Sequence, residues 1–134
     1  MALQFSTAVR NARADVTEST IGTAPKLRLL SGSAPANCAA TQTGTLLAEL
    51  TLPSDWLSAA SGGVKSLSGS WTGTATNAGT VGYFRILDSG ATTCHMQGTV
   101  TTSGGGGDMI ASSTTVGVGD TETITSFTLT EGNA

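Results

Sequence analysis

A chain of 134 residues and 13.3 kDa is the size of a single domain. Its 18 Gly, 24 Thr and 15 Ser, set against 11% charged and 4% aromatic residues, argue against a helical bundle, because Glu, Lys and Gln are scarce. A net charge of only -3 argues against disorder, and a pI of 4.8 without a basic cluster argues against a nucleic-acid groove. What remains is a small all-β module rich in turns. No run approaches the roughly 20 apolar residues of a membrane span. The opening MALQFSTAVRNARADV has neither a continuous apolar segment nor a small-residue cleavage site, so no export or insertion signal is expected.

Residues 1–24 are expected to form an N-terminal helix and arm. Phe5, Val9, Ala12 and Val16 recur at helical spacing, with Ser6 or Thr7 as cap, and such a short helix must dock its apolar stripe on something. Residues 25–134 form the β domain. The period switches to two in PKLRLL (Pro25 to Leu30), then Gly, Pro and Asn punctuate the 31–44 loop. TLLAELTL (Thr45 to Leu52) places Leu46, Ala48, Leu50 and Leu52 on one face and Leu47, Glu49 and Thr51 on the other. Pro53, Ser54 and Asp55 predict a helical turn through Trp56 and Leu57, ended by Gly62 and Gly63.

Further on, Leu67, Trp71 and Ala75 share a parity, and Asn77 and Gly79 mark a turn. VGYFRIL (Val81 to Leu87), the turn Asp88-Ser89-Gly90 and TTCHMQGTV (Thr92 to Val100) read as a hairpin, with Cys94, Met96 and Val100 on one side of its second strand. TTSGGGG is a loop tip, and two strands follow in Asp108 to Thr115 and Thr121 to Thr130. Phe127 and Leu129 share a face that Ile124 does not, which requires a bulge near Ser126 or burial on both faces. The count, about seven or eight strands, suits an antiparallel β-sandwich or jelly roll.

No reactive constellation assembles from the sequence. His95 is the only histidine, Ser70 in GSWTG stands one place early for a nucleophile elbow, and GGGGD (Gly104 to Asp108) lacks the Lys-Ser/Thr of a phosphate loop. Asp120 and Glu122 could join a Ca²⁺ site only if other oxygens converged, and solvation is the simpler reading. Neither a catalytic residue nor a metal or cofactor is expected. Trp56, Trp71, Tyr83 and Phe84 serve either a core or a sugar-stacking platform. Cys38 and Cys94 lack metal-site spacing; they could bridge if they faced each other, but two free, buried thiols are expected of a chain matured in a reducing cytosol. The bases cluster early (Arg10, Arg13, Lys26, Arg28), whereas five acids and no base follow Arg85, an acidic half that reads as solvated surface.

The segments FSTAVRNARADV, STIGTAPKLRLLSGSAPA, LLAELTLPSDW, GYFRILDSGATTCHMQGTV and TITSFTLTEGN, in this order, resemble a family of small virion proteins of tailed bacteriophages. The RNAR-D piece, the TIG turn, the LR strand and the TLT-GN tail carry the likeness. It implies a non-enzymatic structural protein. Among stations in the particle it points to a capsid cement or decoration protein, which would bind the major capsid protein on the outside of the head, as a dimer or trimer, after assembly in the bacterial cytoplasm. A tail, neck or baseplate component or a glycan-binding adhesin is the alternative. On this reading Phe5, Val9, Arg10 and Arg13 are candidates for contact with the shell or a sister subunit, against the simpler role of a helix closing one end of the domain. The 103–107 and 31–44 loops could reach neighbouring copies. No direct nucleic-acid or membrane partner is implied.

Overall fold

The computed structural model describes residues 2–134; Met1, the start of the expected arm, lies outside the described residues. The Ser6 hydroxyl accepts the Val9 amide at 3.3 Å and caps helix α1 (Thr7–Ile21). Gly22, at φ 94°, ends it, and the Gly22 amide donates to the Glu18 carbonyl. Nine strands follow: β1 (Lys26–Ser31), β2 (Leu46–Thr51), β3 (Val64–Ser66), β4 (Thr72–Thr74), β5 (Gly79–Leu87), β6 (Cys94–Thr101), β7 (Met109–Ala111), β8 (Thr115–Val116) and β9 (Thr121–Thr130).

The strands lie in the order β2-β1-β5-β6-β7-β9-β3, with β4 also on β9 and β8 on β5. A bridge between Ala48 and Ala75 and the Thr76 amide on the Leu47 carbonyl (2.8 Å) tie β2 to the residues just after β4. Bonded neighbours can therefore be followed around a curled sheet. The expectation of an all-β domain with a short N-terminal helix holds at this level. The sheet is mixed and not purely antiparallel, because β6 and β7 run parallel through Val100–Met109 and Thr101–Ile110. Glycines make that return possible. A Cβ on Gly105 would lie 2.6 Å from Thr101 Cβ, and one on Gly107 would lie 2.8 Å from Thr101 Oγ1, the atom that already accepts the Gly107 amide. The run read as a loop tip is a tight fold-back whose backbone packs on its own strand.

The interior is filled by side chains that alternate along the strands. Leu27 and Leu29 of β1 meet Ile86 and Phe84 of β5, all buried. Trp56, Trp71, Phe127 and Phe84 continue as a chain of rings, with centroids 5.9, 5.6 and 6.0 Å apart, in the tilted and edge-on geometries that aromatic quadrupoles favour. Tyr83 is buried too. These rings are core, and none stands on the surface as a sugar platform.

Bulges decide several faces against simple alternation. Leu29 pairs with Ala48 and Leu30 with Leu46, so Leu47 is skipped and turns into the core, which the parity of β2 had placed on the far side. Ile86 pairs with Met96 but Leu87 with Cys94, so His95 is skipped and Cys94 leaves the Met96 face for the outer one. Ser126 pairs with Ile110 and Ile124 with Ala111, so of the two ways out of the Ile124/Phe127 conflict, a bulge or burial on both faces, the strand takes the bulge. No helical turn forms at Pro53–Leu57. Leu57 bridges Leu67, and the Ser68 amide binds the Trp56 carbonyl, so extended pairing wins over the local helix signal.

Gly82 sits at the irregularity where Leu30 pairs with Tyr83 and Ser31 with Val81. A Cβ there would lie 2.0 Å from the Gly32 carbonyl oxygen, which is backbone and cannot swing aside. Gly82→Ala is expected to lower stability by about 2–3 kcal/mol in urea unfolding. Gly90→Ala, whose Cβ meets nothing nearer than 4.0 Å, should stay within about 0.5 kcal/mol; equal effects would show that the close approach is absent.

Candidate interaction surface

Helix α1 docks by its polar side. The Arg10 guanidinium donates to the Gly62 carbonyl (2.9 Å), the Gly63 amide donates to Asn11 Oδ1 (2.8 Å), and the Trp56 indole donates to the Gly22 carbonyl (3.0 Å). Lys65 of β3, 4% exposed, places Nζ 2.6 Å from both Asp15 Oδ1 and Glu18 Oε2. Burial works to neutralise this ammonium, but the hydrogen bonds and charges of the two carboxylates outweigh it and hold Lys65 above the ordinary lysine value. Kept charged, Lys65 is no nucleophile near neutral pH. It lies beside an open cleft of about 670 Å³, bordered also by Ser54 and Asp55.

The expected apolar stripe therefore faces outward. Val9 is 43% exposed and Val16 61%, and Ala12 is exposed between them. Ala14 and Ile21 are the helix residues that are buried instead. The reason lies in what the body presents to the helix. The 61–63 turn and Lys65 offer polar groups that would cost more to bury without partners than Val9, Ala12 and Val16 gain by burial. Phe5 precedes the helix and is half-buried; its amide donates to the Asn133 carbonyl, and the Arg13 guanidinium lies 5.1 Å from its ring centre. Arg13 also pairs with Glu131 at 3.2 Å. Val9, Ala12, Val16, Arg13, Thr17 and Glu131 outline a shallow groove of about 470 Å³.

Of the four residues singled out from the sequence, Phe5, Val9 and Arg13 gather on this side. Arg10 turns the other way, into the 62–63 turn. Glu131 was not foreseen, since the meeting of the N-terminal arm with the C-terminal tail has no local signature. The Lys65 ion pairs were missed as well. Their trace in the sequence is Asp15 and Glu18 spaced to share a helix face.

The other groups that could carry chemistry lie apart. His95 and Ser70 are exposed. The Asp88 carboxylate accepts the Thr92 hydroxyl and the Thr92 and Thr93 amides in the β5–β6 turn, and these bonds hold it below its ordinary value. Asp120 accepts the Gly117 amide at 2.7 Å in a turn, whereas Glu122 is buried, accepting from the Ser112 hydroxyl (3.2 Å) and the Ser113 amide (3.4 Å). Burial pushes the Glu122 carboxyl up against those bonds. Among the described residues no group of three or more His, Cys, Asp or Glu side chains is placed to hold a metal ion, and no helix is long and apolar enough to cross a membrane.

The fold and surface thus define a small curled β domain carrying a helix whose apolar stripe faces away from its own core. Comparison with family models, with curated proteins and with solved structures finds no match.

Lys65→Met keeps the bulk of the stem and removes the ammonium from Asp15 and Glu18. It is expected to cost on the order of 2 kcal/mol, the scale of hydrogen bonds to charged groups, and to speed amide exchange in α1 before the sheet; unchanged exchange would refute the docking role. Glu122 gives the second expectation. Its folded value lies above the unfolded one, so the folded state keeps a proton that the unfolded chain releases, and stability is lost as pH rises from about 4.5 through the raised value. The Tm of Glu122→Gln minus that of the wild type should grow from pH 4 to pH 8 in calorimetric scans. A flat difference would contradict a strained carboxylate.

Proposed function

We propose that the protein is a non-enzymatic structural protein of a bacteriophage virion, a capsid cement that binds the outside of the major capsid shell and stabilises it against internal DNA pressure. The observation that carries this reading is the outward apolar stripe of α1, Val9, Ala12 and Val16, on a domain whose polar helix face is already used up internally. Contiguous exposed apolar surface rimmed by polar groups, here Arg13, Thr17 and Glu131, is the mark of a contact site. The resemblance to small virion proteins supplies the partner class. A standard protein contact buries about 1,600 Å², and modest contacts repeated over a shell reinforce one another by avidity.

Within this reading Phe5, Val9 and Arg13 border the contact, and Arg10 acts from behind by fixing the helix to the body. The sandwich or jelly roll expected of such proteins is the finer architecture proposed for the curled sheet. The adhesin alternative has less support, because the aromatic rings it would need are core.

The test is quantitative mass spectrometry of purified particles encoding the chain. Hundreds of copies per particle are expected. Absence from particles would overturn the reading, and a dozen copies or fewer would move the protein to the tail. Val9→Asp/Val16→Asp changes exposed positions, so stability should move by no more than about 0.5 kcal/mol per site, while occupancy on shells should fall at least about tenfold. Full occupancy by a folded double variant would exclude the helix as the contact.

A further inference from the structure

The outer face of the sheet carries a row of polar side chains. Glu49, Arg28, Arg85 and Gln97 stand side by side on β2, β1, β5 and β6. Arg28 Nε donates to Glu49 at 2.8 Å, and Arg28 Nη1 to Gln42 at 3.1 Å. Arg85 is only 5% exposed and has no carboxylate partner among the described residues. Its Nε donates to Gln97 Oε1 at 3.2 Å, and its Nη2 faces the carbonyls of Asn37, Cys38 and Ala40 at 3.2, 3.1 and 2.8 Å. Gln97 donates to the Pro35 carbonyl (2.8 Å), and the Tyr83 hydroxyl binds both the amide and the carbonyl of Thr43. Residues 32–45 are therefore a strap lying across the sheet, and their carbonyls stand in for the anion that a buried guanidinium needs.

Cys38 sits in the middle of this strap. The bulge that skips His95 brings Cys94 to the same outer face, beside Leu87. The two sulfur atoms are 2.7 Å apart, so a bond of about 2.05 Å needs well under an ångström of further approach. Both residues are partly exposed, within reach of a small oxidant. Two free, mostly buried thiols were expected from spacing and compartment; in the structure both are only partly buried, and they face each other across the strap.

We propose that Cys38 and Cys94 are a redox latch, closing into an intramolecular disulfide in oxidising surroundings and fastening the 32–45 strap over Arg85. The oxidant is a small disulfide such as oxidised glutathione. One cysteine thiolate attacks it, forming a mixed disulfide and releasing one small thiol. The other cysteine sulfur then attacks the protein sulfur of that mixed disulfide and releases the second small thiol. The protein gives up two electrons and two protons, and one small disulfide becomes two thiols. Burial, and next the hydrogen bond to Cys38, push the Cys94 thiol up to about 11, so closure accelerates as pH rises through the alkaline range. The latch is a property of the isolated chain and stands or falls separately from any role in a virion.

The full-length chain, first reduced, is equilibrated with oxidised and reduced glutathione, alkylated, and mapped by non-reducing mass spectrometry. A monomer in which the Cys38 and Cys94 peptides are joined is expected. The latched form should gain on the order of 10 °C in Tm, because the bond closes a long loop, and the strap should resist limited proteolysis at least about tenfold better than in the reduced form. Cys38→Ser and Cys94→Ser should each end with the remaining cysteine as a free thiol or a single glutathione adduct and show neither gain. Two thiols still alkylated after exposure to oxidised glutathione, separate glutathione adducts on each, or disulfide-linked dimers would overturn the latch. A bond that forms but leaves strap proteolysis unchanged would overturn its fastening role.

Discussion

Strand β5 is buried on both faces, and the rest of the molecule is arranged around that constraint. From Tyr83 to Leu87 every side chain is nearly inaccessible, although the strand alternates between two environments. Phe84 and Ile86 point into the curled sheet, where apolar burial contributes about 25 cal/mol per Å². Tyr83, Arg85 and Leu87 point outward and would be wet on a simple half-buried strand. Tyr83 and Arg85 are dry because the 32–45 strap crosses them, and the strap stays because both offer its backbone the hydrogen bonds that a loop lying against protein must find. The cation and the loop thus hold each other: the strap takes Arg85 out of water and supplies the acceptors that replace it, and without Arg85 the Cys38 and Ala40 carbonyls would lose this donor.

Much of this was legible in the sequence, element by element. The helix with its cap at Ser6 or Thr7 and the β5–β6 hairpin follow from local pattern, because capping, turn chemistry and alternation act over a few residues, whereas the conflict of Ile124 with Phe127 left a bulge and burial on both faces equally open. What local pattern cannot carry is register. Skipping Leu47 and skipping His95 each reverse a face, and the second moves Cys94 from a core position to the thiol partner of Cys38. A bulge is chosen by the pairing of two strands, so neither strand's sequence announces it alone. The glycine run 104–107 misled for a related reason. Its meaning lies in the approach to Thr101, a contact invisible until β6 and β7 are known to run parallel.

The helix shows the same limit with a different cause. Val9, Ala12 and Val16 form the stripe that periodicity identifies, and the rule that such a stripe faces the core assumes the body offers an apolar seat. Here the seat is the 61–63 turn and Lys65, and Lys65 is buried deeply enough that separating it from Asp15 and Glu18 would strand a charge. A buried ammonium gains more from two carboxylates than two valines and an alanine gain from leaving water, at roughly 1.5–3 kcal/mol for a valine fully buried and less for the partial burial open to these positions. Electrostatics therefore sets the helix rotation, and hydrophobicity takes what is left.

That ordering of forces gives the proposed contact its logic. A helix docked through apolar residues has spent its adhesive face on its own domain, whereas one docked through charge keeps that face for another molecule. The stripe here is small: two valines and an alanine, with Arg13 held between Glu131 and the Phe5 ring at its edge. A single such patch would bind weakly once the cost of immobilising a free molecule is met. Strength would have to come from repetition, and a lattice of identical sites is where a weak, well-oriented contact suffices. Orientation is what the polar docking provides, because hydrogen bonds and ion pairs fix the rotation of α1 more sharply than apolar contact would, so that every copy would present Val9 and Val16 at the same angle to whatever they meet.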